Sequence, residues 1–574
     1  MGVIGFKKAK CKDCYKCVRL CPVKAITVQD EHAKFVASDC ILCGQCLEAC
    51  PQDAISVFGD IDRAKKYIED GMTVIASLSP AYLGIYTDIE PGQFIEGLLE
   101  LGFSEIREAA EGAIYVTAEY ERLMREGRME NIITSACPVI NQFVENYYPD
   151  MIPYMAPVVS PVIAHGKMLR EEFGDNVKIV SISPCLAESV EDLKDSRTRG
   201  YIDAVIHFEE LNQWFKDADI SPAECPLWRH DRVNPKINGA YATSGGITMA
   251  IHAKGGSNLY GYQTLFVDGI DACREVFESI RKGEIKKCFI ELNSCTRGCI
   301  NGPVTGRSQR NRFKSHLTLL GRIMKDFPEY DPLPESISLK RAFEERGKIA
   351  PTPDEEEIRK IVLKIGKDSP EKELNCGACG FPTCREKAIA VYRGKSQIQM
   401  CLPYMYENAR YLSDVILSVT PSLIIIVDEQ LRIREFNNAA EVKFNISREE
   451  ALKSYLYEII DSESFQEVFQ EKRSRIGLRV DYKSYKMKTV QNLIYVREQG
   501  VVIGIIRDIT GEEEKNAKRY QLKMEAVASA QKVIDKQMMV AQEIAGLLGE
   551  TTAETKMTLM KLRNRLLEDG EDSK

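Results

Sequence analysis

Long apolar runs are what this 574-residue sequence lacks first. The best candidates, Ser422 to Val427 and Val501 to Ile506, are strand-sized and end in charge, whereas a membrane helix needs about 20 apolar residues. No bilayer span is expected. Basic excess is missing too: 77 Lys and Arg stand against 85 Asp and Glu, a net charge of -8, which argues against nucleic-acid or anionic-membrane binding by bulk charge. Histidine is scarce, six in all and none beyond His316, and no cysteine follows Cys401. The C-terminal part therefore has no phosphoacceptor histidine, no histidine for haem and no cysteine for a flavin adduct. The early lysines precede no long apolar stretch, and Phe6 stands where a myristoylation signal needs Ser or Thr, so a cytoplasmic location is expected.

What is present is an ordinary folded composition, 44% hydrophobic and 28% charged, on a chain long enough for roughly three to five domains. Nineteen cysteines in a reducing compartment read as metal ligands or redox groups, not disulfides. The first group runs Cys11, Cys14, Cys17, Cys21-Pro22 and repeats as Cys40, Cys43, Cys46, Cys50-Pro51. That is the two-cluster bacterial ferredoxin spacing, in which three thiolates of one run and the fourth of the other hold each [4Fe-4S] cubane. Cys11, Cys14, Cys17 and Cys50 are expected to hold one cluster, and Cys40, Cys43, Cys46 and Cys21 the other. A pair of zinc sites is the alternative, but zinc does not need eight thiols in a doubled run ending in Cys-Pro. The last group, Cys376, Cys379, Cys384 and Cys401, reads as a third [4Fe-4S] site, with glycines that let the backbone wrap closely and a helix from Arg385 leading to the fourth ligand. It resembles the small iron-sulfur domain of corrinoid iron-sulfur proteins; zinc would suit the same thiols.

Between about Thr73 and Ile290, the runs "TVIASLSP", "NIITSACP", "KIVSISPC" and "CFIELNSC" each end in a turn and alternate with helical stretches, such as Asp192 to Thr198 and Ala272 to Arg281. This is α/β alternation, which gathers ligands at the carboxyl ends of strands. Cys137, Cys185 and Cys295 sit at such ends, and Cys299 follows in "CTRGCING". Cys225, Cys273 and Cys288 lack partner spacing and are expected to be buried thiols.

"TSACP", "SPCLAE", "ATSGG" and "SCTRGCING", in this order behind a doubled ferredoxin motif, resemble the cysteine signatures of [FeFe] hydrogenases over about residues 1 to 310. The resemblance implies a two-lobed α/β domain. In it Cys137, Cys185, Cys295 and Cys299 hold the [4Fe-4S] half of an H-cluster, with Cys299 bridging to a di-iron subsite that carries CO and cyanide. It also marks departures near the di-iron position. Ala136 replaces a proton-relaying cysteine, and a methyl group passes no proton. Glu188 replaces a lysine, so its carboxyl must be protonated, turned away or paired with a cation. Ser183 and Asn293 replace methionines.

From about Tyr411 to Ile509, period-two runs around Asp428-Glu429, then two helical stretches and an antiparallel return ending in "RDIT", resemble a PAS domain, including Asn437-Asn438-Ala439-Ala440. Its ligand is not readable. In the tail, Val527, Ile534, Ala541 and Leu548 recur every seven residues, as in a two-helix seam, with a surface helix on the PAS domain as the alternative. Gly549 interrupts the seam, and Thr551 with Glu554 forms a candidate capping box.

The expected organisation is multidomain: an α+β ferredoxin domain at 1–57, the α/β hydrogenase-like domain at 58–329, a linker at 330–375, a small iron-sulfur domain at 376–408, an α+β PAS domain at 409–511 and a helical signalling tail at 512–574. The cofactors would be three [4Fe-4S] clusters and an H-cluster. The function this implies is a sensory hydrogenase that reacts slowly with H2 or reports redox state. It would work through a redox partner, a separate phosphatase or kinase, and a homodimer formed by the PAS domain and tail. A conventional hydrogenase, and a hydrogenase-like iron-sulfur scaffold without the di-iron site, are the alternatives.

Overall fold

The computed structural model describes residues 3–29, 32–227, 236–256, 259–306, 311–347, 353–545 and 552–568. They form two compact units, Met1–Tyr404 and Met405–Lys574.

In the first unit, strand Ile4–Phe6 pairs antiparallel with Ile55–Val57, and Ile26–Gln29 pairs with His32–Phe35, around the short helices Lys16–Leu20 and Gln45–Ala49. The repeat in the sequence is also a repeat in the backbone. Asp13, Tyr15 and Lys24 adopt positive φ in the first half, and Leu42, Gly44 and Asp53 do so at the matching positions of the second. The core of this domain, with Ile26, Ile41 and Leu47, is continuous with the core around Val139, Phe143 and Phe277 of the next.

The α/β region has two parallel sheets. One runs Glu105–Glu108, Val74–Leu78, Lys178–Ser183, Ala204–His207; the other runs Gln263–Asp268, Cys288–Asn293, Ile132–Ile133. Val74–Leu78 and Cys288–Asn293 are buried along their whole length, as a parallel strand covered on both faces must be. All four strands anticipated here form, and Ala272 to Arg281 lies in the helix Ile270–Arg281.

Two expectations fail. Only Glu188–Glu191 is helical before residue 192, and 192–198 are turns. Side chains take the backbone there: Asp195 Oδ1 accepts from Arg197 N–H at 3.1 Å, and the Thr198 hydroxyl donates to Glu191 C=O at 2.5 Å, offering the chain an alternative to helix. The stretch 330–375 is not a free linker either. Leu339 and Arg341 are buried, Val159 N–H donates to Leu339 C=O at 2.9 Å, and Arg341 N–H donates to Pro157 C=O at 3.1 Å. Further on, helix Glu355–Lys364 packs Ile358 and Val362 on Ala388 of helix Cys384–Tyr392. The polar composition concealed a few apolar and ionic anchors.

In the second unit the five-stranded antiparallel sheet runs Ile433–Phe436, Leu423–Asp428, Val501–Asp508, Met487–Val496, Arg475–Tyr482. Leu423, Ile425 and Val427 point into the core, as their alternation requires. Four short helices, Asn438–Phe444, Arg448–Ala451, Leu456–Ile459 and Glu463–Glu471, stand where two were expected. Asn437 ties the first of them to the sheet, accepting from Ile424 and Ala440 N–H at 2.8 and 3.2 Å. Helix Thr510–Ala545 follows, and its Ile534 and Ala541 face Thr555 and Leu559 of helix Thr552–Glu568 in the same chain. Leu548, Gly549 and the Thr551–Glu554 capping box lie outside the described residues. No described helix is long and apolar enough to cross a membrane.

Candidate iron-sulfur sites and active-site cavity

All nineteen cysteines are free. In the ferredoxin domain the two halves aim backbone N–H groups at sulfur in parallel: Ala25 N–H at Cys21 Sγ and Ala54 N–H at Cys50 Sγ, both 3.3 Å. Leu42 N–H reaches Cys40 Sγ at 3.4 Å. Such donors stabilise thiolate, which is the form that binds iron. Burial acts the other way in the metal-free protein, raising the Cys17 thiol to about 12, Cys40 to about 11 and Cys43 to about 12. Iron would have to displace those protons. The halves differ in one respect. A Cβ on Gly44 would lie 2.3 Å from Pro303, with Leu186 close by, so this position needs glycine where the first half carries Tyr15.

The thiols of Cys137, Cys185, Cys295 and Cys299 line a single cavity, with about 810 Å³ of unfilled space including its mouth. It opens where strands of both sheets end: Ser79-Pro80 after Val74–Leu78, Ala109 after Glu105–Glu108, Cys137 after Ile132–Ile133, Cys185 after Lys178–Ser183, and Cys295 after Cys288–Asn293. Cys137 immediately precedes helix Pro138–Tyr147, and the N–H groups of Val139 and Ile140 face its sulfur, an arrangement that favours an anion. The 295–299 turn is fixed by shape. Gly298 has φ +91°, and a Cβ there would meet Thr243 Cα at 2.5 Å; a Cβ on Gly302 would meet Pro184 C=O at 2.3 Å.

The other anticipated residues divide. Ala136, Glu188 and Asn293 line the cavity. Ser183 does not; it is fully buried behind Cys185, its Oγ accepting from Cys185 N–H at 2.9 Å. Glu188 is buried, its carboxyl meets the Ser183 and Ser181 hydroxyls, and Oε2 has no partner among the described residues. Burial, with nearby Glu191 adding to it, raises this carboxyl from 4.5 to about 7. Of the three outcomes foreseen for Glu188, protonation is the one this environment favours. Sequence reasoning missed Glu291. Wholly buried, it accepts from Gly245 N–H at 2.8 Å, Thr248 N–H at 2.9 Å and Asn293 Nδ2 at 3.0 Å, pinning the "ATSGG" turn beside the cavity. Its signal was one acid inside the apolar run "CFIELN".

A second, smaller cavity is lined by Cys376, Cys379, Cys384 and Cys401, together with Lys387 and Lys367. Both lysines are buried. Lys387 Nζ donates to Ser396 Oγ and to Gln397 C=O at 2.6 Å, and burial lowers its ammonium to about 8. Among the described residues no three His, Cys, Asp or Glu side chains close on a single metal ion. At the Cys137 and Cys376 sets the thiols line open space, as they do around a cubane, whose irons keep the sulfurs apart. The residues present thus fit iron-sulfur groups at each site.

Residues 72–303 match the family described as iron only hydrogenase large subunit, C-terminal domain, and 4–51 match the 4Fe-4S dicluster domain. Residues 373–403 match a putative Fe-S cluster family and 412–509 the PAS fold. The matched domains are those of a PAS-containing [FeFe] hydrogenase. Among similar proteins, the periplasmic [Fe] hydrogenase large subunit of Nitratidesulfovibrio vulgaris is 26% identical over 52% of this chain and 85% of its own. Iron hydrogenase 1 of Clostridium pasteurianum is 26% identical over 40% of this chain, which spans about half (48%) of that relative. A structure of the Chlamydomonas reinhardtii [FeFe]-hydrogenase aligns with 46% of this chain and 90% of its own at 21% identity and a TM-score of 0.39.

Proposed function

We propose that the chain is a sensory hydrogenase that reacts slowly with H2, or reports redox state, at the cavity of Cys137, Cys185, Cys295 and Cys299, and passes the signal towards its PAS unit. When bound there, an H-cluster supplies the redox chemistry of hydrogen. The chain's own contribution is to hold it through four thiolates and to exclude water with the apolar wall of Pro80, Ala109, Pro161 and Ile247. Proton handling carries the reading: Ala136 offers the cavity a methyl group, and the acid lining it is Glu188, able to keep a proton near neutral pH. Slow proton delivery suits a receptor better than a bulk catalyst. The presence of a PAS domain on the same chain supports that direction.

The full cofactor set on this reading is three [4Fe-4S] clusters and the H-cluster. The partners are H2 and protons, a redox protein, a separate phosphatase or kinase, and a second copy joined through the PAS unit and helical tail, where Ile416, Val419, Val533 and Ile544 are exposed. We infer a cytoplasmic location from nineteen unpaired thiols, although one relative is named as periplasmic. The deciding experiment is infrared spectroscopy of the matured full-length chain combined with an H2 assay. Bands of metal-bound CO and cyanide with slow turnover are expected. Cubane signals without those bands would leave the scaffold reading, and fast turnover the conventional hydrogenase.

A further inference from the structure

The two ferredoxin sites are equal in ligands and unequal in position. The half carrying Cys40, Cys43 and Cys46 presses Gly44 on Pro303 and Leu186, the turns that follow Cys299 and Cys185. This site is therefore the one next to the H-cluster cavity.

The same site faces the Cys376 domain. Cys21, its fourth ligand, shares a buried cluster with Met400, the residue before Cys401. Asp39, beside Cys40, is ion-paired with Lys395. Lys24, three residues after Cys21, reaches over to Phe381, two residues after Cys379. Its Nζ lies 5.6 Å from the ring centre of Phe381, with Lys387 Nζ 5.5 Å from the same ring. Gly380 completes the fit, since a Cβ there would lie 2.9 Å from Arg19 Cα.

We propose that the site of Cys40, Cys43, Cys46 and Cys21 is a three-way junction. It exchanges electrons with the H-cluster cavity, with the Cys11 set and, through the Lys24–Phe381 contact, directly with the Cys376 set. The Cys376 cluster is then a branch, not the end of a line through the Cys11 cluster. Each transfer would be of one electron: a reduced cubane held at the junction would be oxidised by one, a cubane held by the Cys376 set would be reduced by one, and no bond or proton would move. This rests on the iron-sulfur part of the functional reading and does not need the di-iron subsite.

The test uses the full chain reconstituted with iron and sulfide, reduced with dithionite and studied by electron paramagnetic resonance. Magnetic interaction on the Cys376 cluster is expected to survive Cys14→Ala and to vanish in Cys43→Ala; the reverse pattern would establish a line and overturn the junction. Because Cys43→Ala risks the fold of its domain, Lys24→Met gives a second reading with all ligands kept. Loss of one shared positive charge should lower the reduction constants of the junction and Cys376 clusters together by about tenfold, 59 mV for one electron, and leave the Cys11 cluster unmoved. A shift in the Cys376 cluster and the Cys11 cluster, without the junction, would refute it. If Cys384→Ala loses no iron, there is no third cluster and the branch falls. The infrared test of the H-cluster is independent of each of these results.

Discussion

The cavity of Cys137, Cys185, Cys295 and Cys299 and the Cys376 cavity each offer four thiols, in opposite electrical surroundings. Around the first, the titratable neighbour is a buried carboxyl, Glu188, with Glu191 and Asp192 behind it. Around the second the neighbours are buried ammonium groups, Lys387 and Lys367. A cluster beside a cation takes an electron more readily than one beside an acid, because the added negative charge is stabilised at low dielectric. Equal ligand sets therefore do not mean equal potentials. The difference points electrons from the buried cavity outward to the Cys376 site.

The largest expected effect tests what the first cavity lacks. Ala136→Cys should raise H2 turnover of the matured chain by about 10²- to 10⁴-fold, the usual range for a positioned acid-base group. An unchanged rate in a gas-evolution assay would mean that proton delivery is not what sets this cavity apart.

Shape comes next. Gly298→Ala should cost about 3 kcal/mol or more, since its Cβ would meet backbone at 2.5 Å, whereas Gly377→Ala, with open space around it at φ +69°, should cost only about 1 kcal/mol. Thermal unfolding of the two variants, measured side by side, checks that ratio.

Charge in the first cavity gives a smaller effect with a defined sign. Glu188 binds its proton more tightly folded than unfolded, so its contribution to stability is present below pH 4.5 and is lost as pH rises through about 7. Glu188→Gln should gain on the parent chain by roughly 3 kcal/mol between those limits, as about 1.4 kcal/mol per pKa unit implies. Denaturant titrations of the cluster-free proteins at pH 5 and pH 8 would read this, and equal differences at both would refute it.

The smallest change belongs to the second cavity. Lys387→Met should make its cluster harder to reduce by a few tens of millivolts, about a threefold to tenfold change in equilibrium constant, in a spectroscopic redox titration. No shift would remove the electrical contrast between the sites.

The cysteines were legible in advance because ligand spacing is local chemistry: Cys11 to Cys50 and Cys376 to Cys401 are close along the chain, so their loops must wrap whatever they hold. The parallel strands were legible from unbroken apolar runs. Glu291 and Lys387 were not, since an isolated charge in an apolar segment looks the same whether it is paired or exposed until its partners are placed. The linker expected at 330–375 failed for a related reason: Arg341 reads as solvent-facing in a polar stretch, and only the fold reveals its buried pairing with Glu191. The Asp192 to Thr198 helix failed because Arg197 and Thr198 bond to groups whose position no helical period encodes.

By itself the sequence determined the cysteine motifs, the α/β and PAS architectures and the presence of alanine at 136, since each depends on residue type and short-range spacing. Tertiary structure alone decided that Cys137, Cys185, Cys295 and Cys299 share a cavity, that Ser183 stands behind it, and that Gly44 of one ferredoxin half and Lys24 of the other each meet a neighbouring domain. Those outcomes depend on distances between residues far apart in the chain, and such distances are fixed only when the sheets and cores close.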